Sequence, residues 1–139
     1  NRDNPALTEW LLDRGAAPAD GASVYHAADE GHERALAVLA RKVAPEVLAA
    51  QATYALTGLL RWGRVRAVPW LLGHGADPNA IHERHGDAAL HAAARATAGV
   101  ATIELLLAHG ARKDLRNREG LTAKEVARKA GHLKAVALL

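Results

Sequence analysis

The sequence predicts an all-α fold in which short helix–turn–helix pairs stack side by side as a repeat solenoid. The strings LLDRGA (11–16), LLGHGA (71–76) and LLAHGA (106–111) end three apolar segments in the same way. Gly75 and Gly110 lie 35 positions apart, a period typical of helical repeats. The apolar segments have the i, i+3, i+4 spacing of helices. At about 9 residues they are too short to be stable alone, so stacking must bury their faces.

Aligning the Gly-Ala endings divides the chain into one partial unit and four further units of a single domain, 1–139. Each further unit contains an Ala-rich apolar segment, a turn with glycine and a second apolar segment, the pattern of two helices joined by a turn. We expect about nine helices, in units near residues 1–19 (partial), 20–45, 46–80, 81–114 and 115–139. Hairpin-like fingers should be clearest at residues 75–87 and 110–121.

Composition narrows the function classes. The chain of 139 residues has no cysteine, which excludes disulfides and thiolate metal sites. No apolar run is long enough to cross a membrane, and no signal peptide opens the chain. The net charge is +3, and the positive excess lies in residues 46–139. This charge is too small to predict nucleic-acid binding and favours a protein partner with an acidic patch.

Four stretches resemble the ankyrin repeat: AADEGH (27–32), GADPNA (75–80), ALHAAA (89–94) and AGHLKAVALL (130–139). The resemblance covers nearly the whole chain in register. It implies that Leu-Leu closes each second helix inside the stack and that a left-handed glycine caps it. It also implies a protein-interaction module that binds a protein or peptide through a concave groove, with no enzymatic activity and no cofactor.

The resemblance implies that partner-binding residues lie at the fingertips and at the ends of the first helix of each pair. These are Asp29, Glu30, Arg61, Trp62, Arg84, His85, Asp87, Arg95, Arg118, Glu119, Leu121 and Lys129. Trp62 beside Arg61 has the composition of an interface hot spot. The alternative is that Trp62 packs on a neighbouring finger. Trp10 and Trp70 fall in an apolar slot of the second helix and are predicted to be core residues.

The chain departs from the family pattern in its helix caps. The threonine that caps the first helix in the family is present only as Thr122, and Ala22, Tyr54 and Ala88 occupy the matching positions. Losing such a cap costs about 1 kcal/mol. The fourth unit carries an extra residue around 95–99.

Two prolines mark further departures. The segment 42–51 lacks Gly-Ala-Asp and has Pro45 at a helix start, so a short turn and a longer helix should replace the finger there. Pro69 is predicted to lie inside a second helix as a tolerated kink, where a proline costs about 3 kcal/mol. The chain begins and ends inside second helices, so we expect it to be part of a longer array.

The histidines are candidate metal ligands. His32, His91 and His132 match positions that the family uses for structural hydrogen bonds, and His74 and His109 are expected to face solvent. A second set, His82 and His85 with Asp87, has the ligand types of a zinc site, so a metal-binding finger at 82–87 is an alternative.

No phosphate loop and no Ser/His/Asp signature is present, so we expect no catalysis. A regulatory or targeting segment of a larger enzyme or bacterial effector is the main alternative function. We expect a cytoplasmic monomer, with end-to-end contacts through truncated repeats as the alternative. The Ala/Arg/Gly-rich composition without Met or Phe is that of a GC-rich bacterial source.

Overall fold

The computed structural model describes residues 4–14 and 22–139, and within these residues the chain forms nine helices. They are α1 (Pro5–Asp13), α2 (Ala22–Glu30), α3 (Glu33–Lys42), α4 (Pro45–Arg61), α5 (Val68–Gly73), α6 (Ala89–Arg95), α7 (Val100–Ala108), α8 (Ala123–Ala130) and α9 (Leu133–Leu138). From α2 onward they form four successive helix–turn–helix pairs. The predicted all-α repeat solenoid is confirmed.

The first helices of the pairs, α2, α4, α6 and α8, pack on one another in a row, and we call them the inner helices. The outer helices are α1, α3, α5, α7 and α9. Alanines at the inner-helix contacts, such as Ala55, Ala89 and Ala93, are buried and allow close approach. Leucines such as Leu59 and Leu106 fill the space between the two rows.

The Leu-Leu-x-x-Gly-Ala motif ends two outer helices as predicted. Gly75 and Gly110 have positive φ angles of 90° and 84°, the left-handed conformation that glycine adopts without strain. The N–H of Ala76 donates to the carbonyl of Leu71 at 3.1 Å, which closes the last turn of α5. Gly15, in the first copy of the motif, lies outside the described residues.

The two predicted fingers are present after α5 and α7. In the second finger, Arg116 forms an isolated antiparallel bridge with Thr122. In the first, the N–H of His82 donates to the carbonyl of Asp87 at 2.9 Å. These hydrogen bonds make each finger a narrow hairpin-like turn that projects from the helical stack.

The third pair confirms one proline prediction and corrects the other. Helix α4 begins at Pro45, is 17 residues long, and follows α3 after a short turn without a finger. The prediction that Pro69 kinks the interior of a helix is wrong. Helix α5 begins at Val68, so Pro69 lies in the first turn, where its missing N–H would have had no intrahelical partner.

The tryptophans of the outer helices differ from each other. Trp70 is partly buried against the core and stacks on His74 at 4.0 Å between ring centroids, so His74 does not simply face solvent as expected. The prediction that Trp10 is a core residue is wrong, because it is 50% exposed. Helix α1 packs mainly on α3 at the end of the row, and the Arg14 guanidinium covers the Trp10 ring at 4.3 Å.

Candidate partner-binding surface

A pocket of about 330 Å³ lies where α2 and α4 face the first finger. Helix α2 contributes two side chains, α4 contributes two residues and its C-cap Trp62, and the finger contributes three residues. The lining residues are Tyr25, His26, Tyr54, Gly58, Trp62, His82, Arg84 and His85. We call this depression the aromatic pocket.

The missing finger between α3 and α4 explains why this pocket is open. Tyr54 matches the helix-capping Thr122, but α4 starts nine residues earlier, so Tyr54 is in the middle of a helix. Its ring lies 4.5 Å from that of His82, between centroids. Tyr25 matches His91, and with no finger after α3 it has no equivalent hairpin to bond, so its ring lines the pocket instead.

Gly58 allows the aromatic groups to approach α4 closely. A Cβ atom at this position would lie 3.0 Å from Cε2 of Tyr25 and 3.6 Å from Nε2 of His82. The first distance is shorter than an ordinary van der Waals contact. An alanine side chain would therefore push into the pocket. The glycine avoids this contact but makes the interior of the helix less stable than an alanine would.

His82 forms the floor of the pocket and is only 6% exposed. Its Nδ1 accepts hydrogen bonds from the backbone N–H groups of Arg84 at 3.2 Å and His85 at 3.4 Å. Burial, and then the neighbouring His85 and Arg84, lower the pKa of His82. The ring is therefore neutral at pH 7, and because Nδ1 is the acceptor, the proton is on Nε2. Nε2 is buried and has no hydrogen-bond partner among the residues that the structure describes.

Trp62 forms one wall of the pocket at the C-terminal end of α4. It is 69% exposed and is the most exposed of the three tryptophans. This agrees with the expected exposure and not with the alternative that it packs on a finger. Single exposed apolar side chains are common on protein surfaces, so the position of Trp62 beside the pocket, and not its exposure alone, marks it as a candidate contact.

Asp87 lies beneath the surface rather than on it, and this corrects its assignment as a contact residue. The carboxylate is 1% exposed. It accepts from Arg61 at 3.2 Å, from Arg95 at 3.1 Å and from the Asn117 amide at 2.8 Å. Two cations and an amide offset the desolvation of the buried carboxylate, and the cluster ties α4, α6 and both fingers together.

Other predicted contact residues also have internal partners. Arg95 donates to Glu119 at 3.1 Å. Glu119 is a second acidic residue of the predicted contact surface, and this hydrogen bond occupies its carboxylate. Arg118 donates to the backbone carbonyl of Glu83 at 2.6 Å, joining the two fingertips. Leu121 is half-buried against the core. These side chains shape the surface, and only part of each is accessible.

The two ends of the row differ in charge. At the α2 end, Asp29 forms an ion pair with Arg64 at 3.3 Å, without hydrogen-bond geometry. Glu30 is exposed and lies 3.5 Å from His32, whose side chain does not cap α3. At the α8 end, Lys129 is exposed. The surface therefore changes from acidic to basic along the stack.

Arg84 differs from the other fingertip and helix-end arginines. It is exposed, lines the aromatic pocket, and its guanidinium forms no hydrogen bond or ion pair within residues 4–14 and 22–139. His85, next to it, is half-buried and stacks on His82 at 4.6 Å. The positive charge of Arg84 is therefore available to a ligand in the pocket.

Two histidines have the expected structural role. Nε2 of His91 lies 3.0 Å from the carbonyls of both Leu115 and Leu121 and holds the second finger against α6. Nδ1 of His132 lies 2.6 Å from the carbonyl of Ala94 and joins the last two pairs.

The metal-binding alternative at residues 82–87 loses support. In the part of the chain that the structure describes, no group of three or more His, Cys, Asp or Glu side chains could hold a metal ion. The Asp87 carboxylate is bound by two arginines, and Nδ1 of His82 is used within the turn. The finger is thus organised by its own hydrogen bonds.

Tyr25 and Tyr54 were not identified from the sequence as surface residues, because they come from segments separated by the α3 helix and the missing finger. A signal was nevertheless present. Tyr54 stands where the repeat has a capping threonine, after a segment that lacks the finger motif. A large aromatic residue in a capping slot indicates that the helix continues through it and that its ring faces the groove.

Comparison with known proteins agrees with this architecture. Residues 54–139 match the family model for ankyrin repeats (3 copies), which is more than half of the chain. No curated protein matches the chain significantly. Among the described residues, no helix has the length and apolar character needed to cross a membrane.

Proposed function

We propose that this chain, which belongs to the ankyrin-repeat family, binds a protein or peptide partner through the groove between its inner helices and fingers. Ankyrin repeats are generally protein–protein interaction modules. The chain has no chemistry of its own in this proposal. Its specificity resides in the side chains that line the groove, because the fold alone does not determine the partner.

The observation that carries the proposal is Trp62. Interface hot spots are enriched in tryptophan and arginine, and truncating one typically costs about 2 kcal/mol or more. Trp62 is 69% exposed beside a pocket that Arg84 also lines, and within the described residues Arg84 forms no ion pair. A partner that covers this indole would bury a large apolar area in the centre of the groove.

The charges around the pocket favour an acidic partner. Arg84 and Arg118 lie on or near the fingertips, and Lys129 adds a positive charge at the far end. Rim charges of this kind increase the association rate and its salt dependence more than the final affinity. Arg61 and Arg95 contribute less, because Asp87 holds both.

The proposal is tested by affinity purification with residues 1–139 as bait, followed by titration calorimetry of the recovered partner. Trp62→Ala should weaken binding by about tenfold or more without unfolding the chain. Trp10→Ala is the matched control, since it removes the same side chain from the outer helix α1 and should leave the affinity unchanged. Equal binding by wild type and Trp62→Ala would exclude the groove as the interface.

A further inference from the structure

The Nε2–H group of His82, at the floor of the aromatic pocket, is a donor without an acceptor within residues 4–14 and 22–139. The two backbone N–H groups that point at Nδ1 leave Nε2 as the protonated nitrogen. Buried polar groups in folded proteins nearly always have a partner. A buried donor without one, lining a pocket, indicates that a ligand acceptor completes the site.

The charged groups around the pocket favour an acceptor that is negatively charged. Arg84 is at the rim and has no ion pair within the described residues. Among the described residues, no carboxylate lines the aromatic pocket: Glu83 lines a neighbouring depression, and Asp29, on α2, is paired with Arg64. A carboxylate would therefore meet the Nε2–H of His82 and the guanidinium of Arg84 without competition from an internal acid.

The surroundings of the pocket favour an extended segment of polypeptide. A second depression of about 290 Å³ adjoins the first and shares Tyr54 and His82 with it. It is lined by apolar groups that include Ala50 and Ile81. Two adjacent depressions of this size suit successive side chains of an extended chain, and Tyr54 of α4, which both depressions share, is 40% exposed.

We infer that the aromatic pocket receives the carboxylate of an aspartate or glutamate side chain in an extended segment of the partner. His82 donates through Nε2–H at the floor, Arg84 forms the ion pair at the rim, and the rings of Tyr54 and Trp62 pack on the stem of the acidic residue. The inference rests on the proposed function and specifies the group that the groove recognises.

The test begins with a library of random 12-residue peptides displayed on phage and selected on residues 1–139. Selected sequences are synthesised, and their affinities are measured by fluorescence anisotropy. The peptides should share an acidic residue, and replacing it with its amide should weaken binding to the wild type by about tenfold or more. The same replacement should change binding by less than about threefold in a protein that lacks either His82 Nε2–H or the Arg84 charge.

Two variants remove these groups. His82→Asn removes Nε2–H, and its amide oxygen can still accept from the N–H groups of Arg84 and His85. Arg84→Gln removes an exposed cation that holds nothing within the described residues, so it provides the test if His82→Asn fails to fold. Arg41→Gln is the matched control, because it removes an exposed cation from the outer helix α3 and should retain the full dependence on the acid.

The possible outcomes separate this inference from the proposed function. Some peptides could bind Trp62→Ala more weakly than the wild type and keep their affinity when their acidic residue is replaced with its amide. This result would overturn the inference and leave the groove as the interface. Peptides that bind to Trp62→Ala and to Arg84→Gln as tightly as to the wild type occupy another surface. They contradict both the inference and the proposed function. If no peptide is selected, the extended acidic segment is rejected, and the partner purification described above decides the function.

Discussion

The junction between α3 and α4 and the junction between α7 and α8 make the same connection in two ways. At the second junction a full finger follows α7, and its Asn117 side chain accepts from the N–H groups of Glu119 and Leu121. At the first, two residues separate the helices and Pro45 opens α4 directly. One junction projects a hydrogen-bonded finger, and the other joins the two helices by a short turn.

The difference between the two junctions determines which side chains remain available to bind a partner. Beside the complete fingers, the polar side chains bond to other groups of the protein. Asp87 binds Arg61 and Arg95, and His91 binds carbonyls of the second finger. At the shortened junction, the same helical positions carry aromatic rings with no finger to bind. We therefore expect stability to depend mostly on the finger side of the molecule and recognition mostly on the α2–α4 side.

The largest expected effect is on the Asp87 cluster. Asp87→Asn replaces the acceptor shared by two arginines and should lower the free energy of unfolding by about 2–3 kcal/mol. This is below the usual cost of breaking a buried pair, because the side chains of Arg61 and Arg95 are about one-third exposed. Urea unfolding would measure it. Asp114→Asn, which breaks the exposed pair with Arg112, is the control and should change stability by less than about 1 kcal/mol.

If Asp87→Asn and Asp114→Asn had equal effects, the buried cluster would not be a major source of stability. The comparison between the two junctions would then lose its energetic basis. A loss of binding by Asp87→Asn at temperatures where it remains folded would instead place the cluster in the recognition surface.

The next effect concerns the close packing at Gly58. Gly→Ala in a helix usually gains up to about 1 kcal/mol. At Gly58 the added Cβ would meet the Tyr25 ring at 3.0 Å, so we expect a net loss of about 1 kcal/mol and a smaller pocket. Gly73→Ala is the control, since beyond its chain neighbours and the backbone of its own helix no atom of the described residues lies within 4 Å of the added Cβ. This substitution should be neutral or stabilising. Thermal unfolding of the two variants measures the difference. Equal gains in stability would show that the Tyr25 ring moves to accommodate the added methyl group.

A smaller effect is expected at the helix caps. In α8, Thr122 and Glu125 exchange hydrogen bonds, with Thr122 N–H donating to Glu125 at 2.7 Å. In α6, the side chain of Ala88 has no capping oxygen, and its backbone N–H donates to Nδ1 of His91 at 3.2 Å. Thr122→Ala should therefore lower the unfolding free energy by about 1 kcal/mol, and Ala88→Thr should raise it by up to about 1 kcal/mol.

Ala88 is buried, so the extra methyl of threonine must find space. Ala88→Ser, which adds only the hydroxyl, separates the two contributions in the same urea experiment. If serine stabilises and threonine does not, the site lacks room for the methyl group. If neither stabilises while Thr122→Ala destabilises, His91 already substitutes for the missing cap.

The sequence predicted what depends on neighbouring residues and missed what depends on distant ones. Helix pairs, left-handed glycines and the long α4 follow from local periodicity, caps and the missing finger motif. The burial of Asp87 depends on partners 26 and 30 positions away, which a fingertip motif does not show. Pro69 was placed inside a helix because apolar spacing locates a helix without marking its first residue.

The aromatic pocket was missed for the same reason. Tyr25, Tyr54 and His82 lie on different elements, and their contacts exist only because Gly58 permits close approach. In a sequence, a glycine within a predicted helix indicates only a weaker helix. Trp62 was found because a tryptophan in a variable slot is conspicuous without any knowledge of its neighbours.

The smallest expected effect is a loss of stability at acid pH on the finger that borders the pocket. Burial is the main cause that lowers the pKa values of His82 and His85 below their ordinary value of 6.5, with smaller contributions from neighbouring charges, Arg84 among them. The unfolded chain therefore takes up these protons first. The contribution to stability is fully present above about pH 6.5 and is lost as the pH falls through the lower, folded-state pKa values. Protonation of His82 at Nδ1 would also remove the acceptor for two backbone N–H groups.

We expect the melting temperature to fall between pH 7.5 and 5.5 and to fall less in His82→Asn, which keeps an acceptor that does not titrate. The charged and titratable groups that act on His82 are His85, Arg84, Glu83 and Arg118. Calorimetric scans of wild type and His82→Asn across this range measure the difference. If both proteins lose the same amount, the turn that forms the pocket floor does not respond to protonation of His82. The pH dependence must then come from histidines on the helical stack, and the open side of the molecule would be no more sensitive to acid than the side covered by complete fingers.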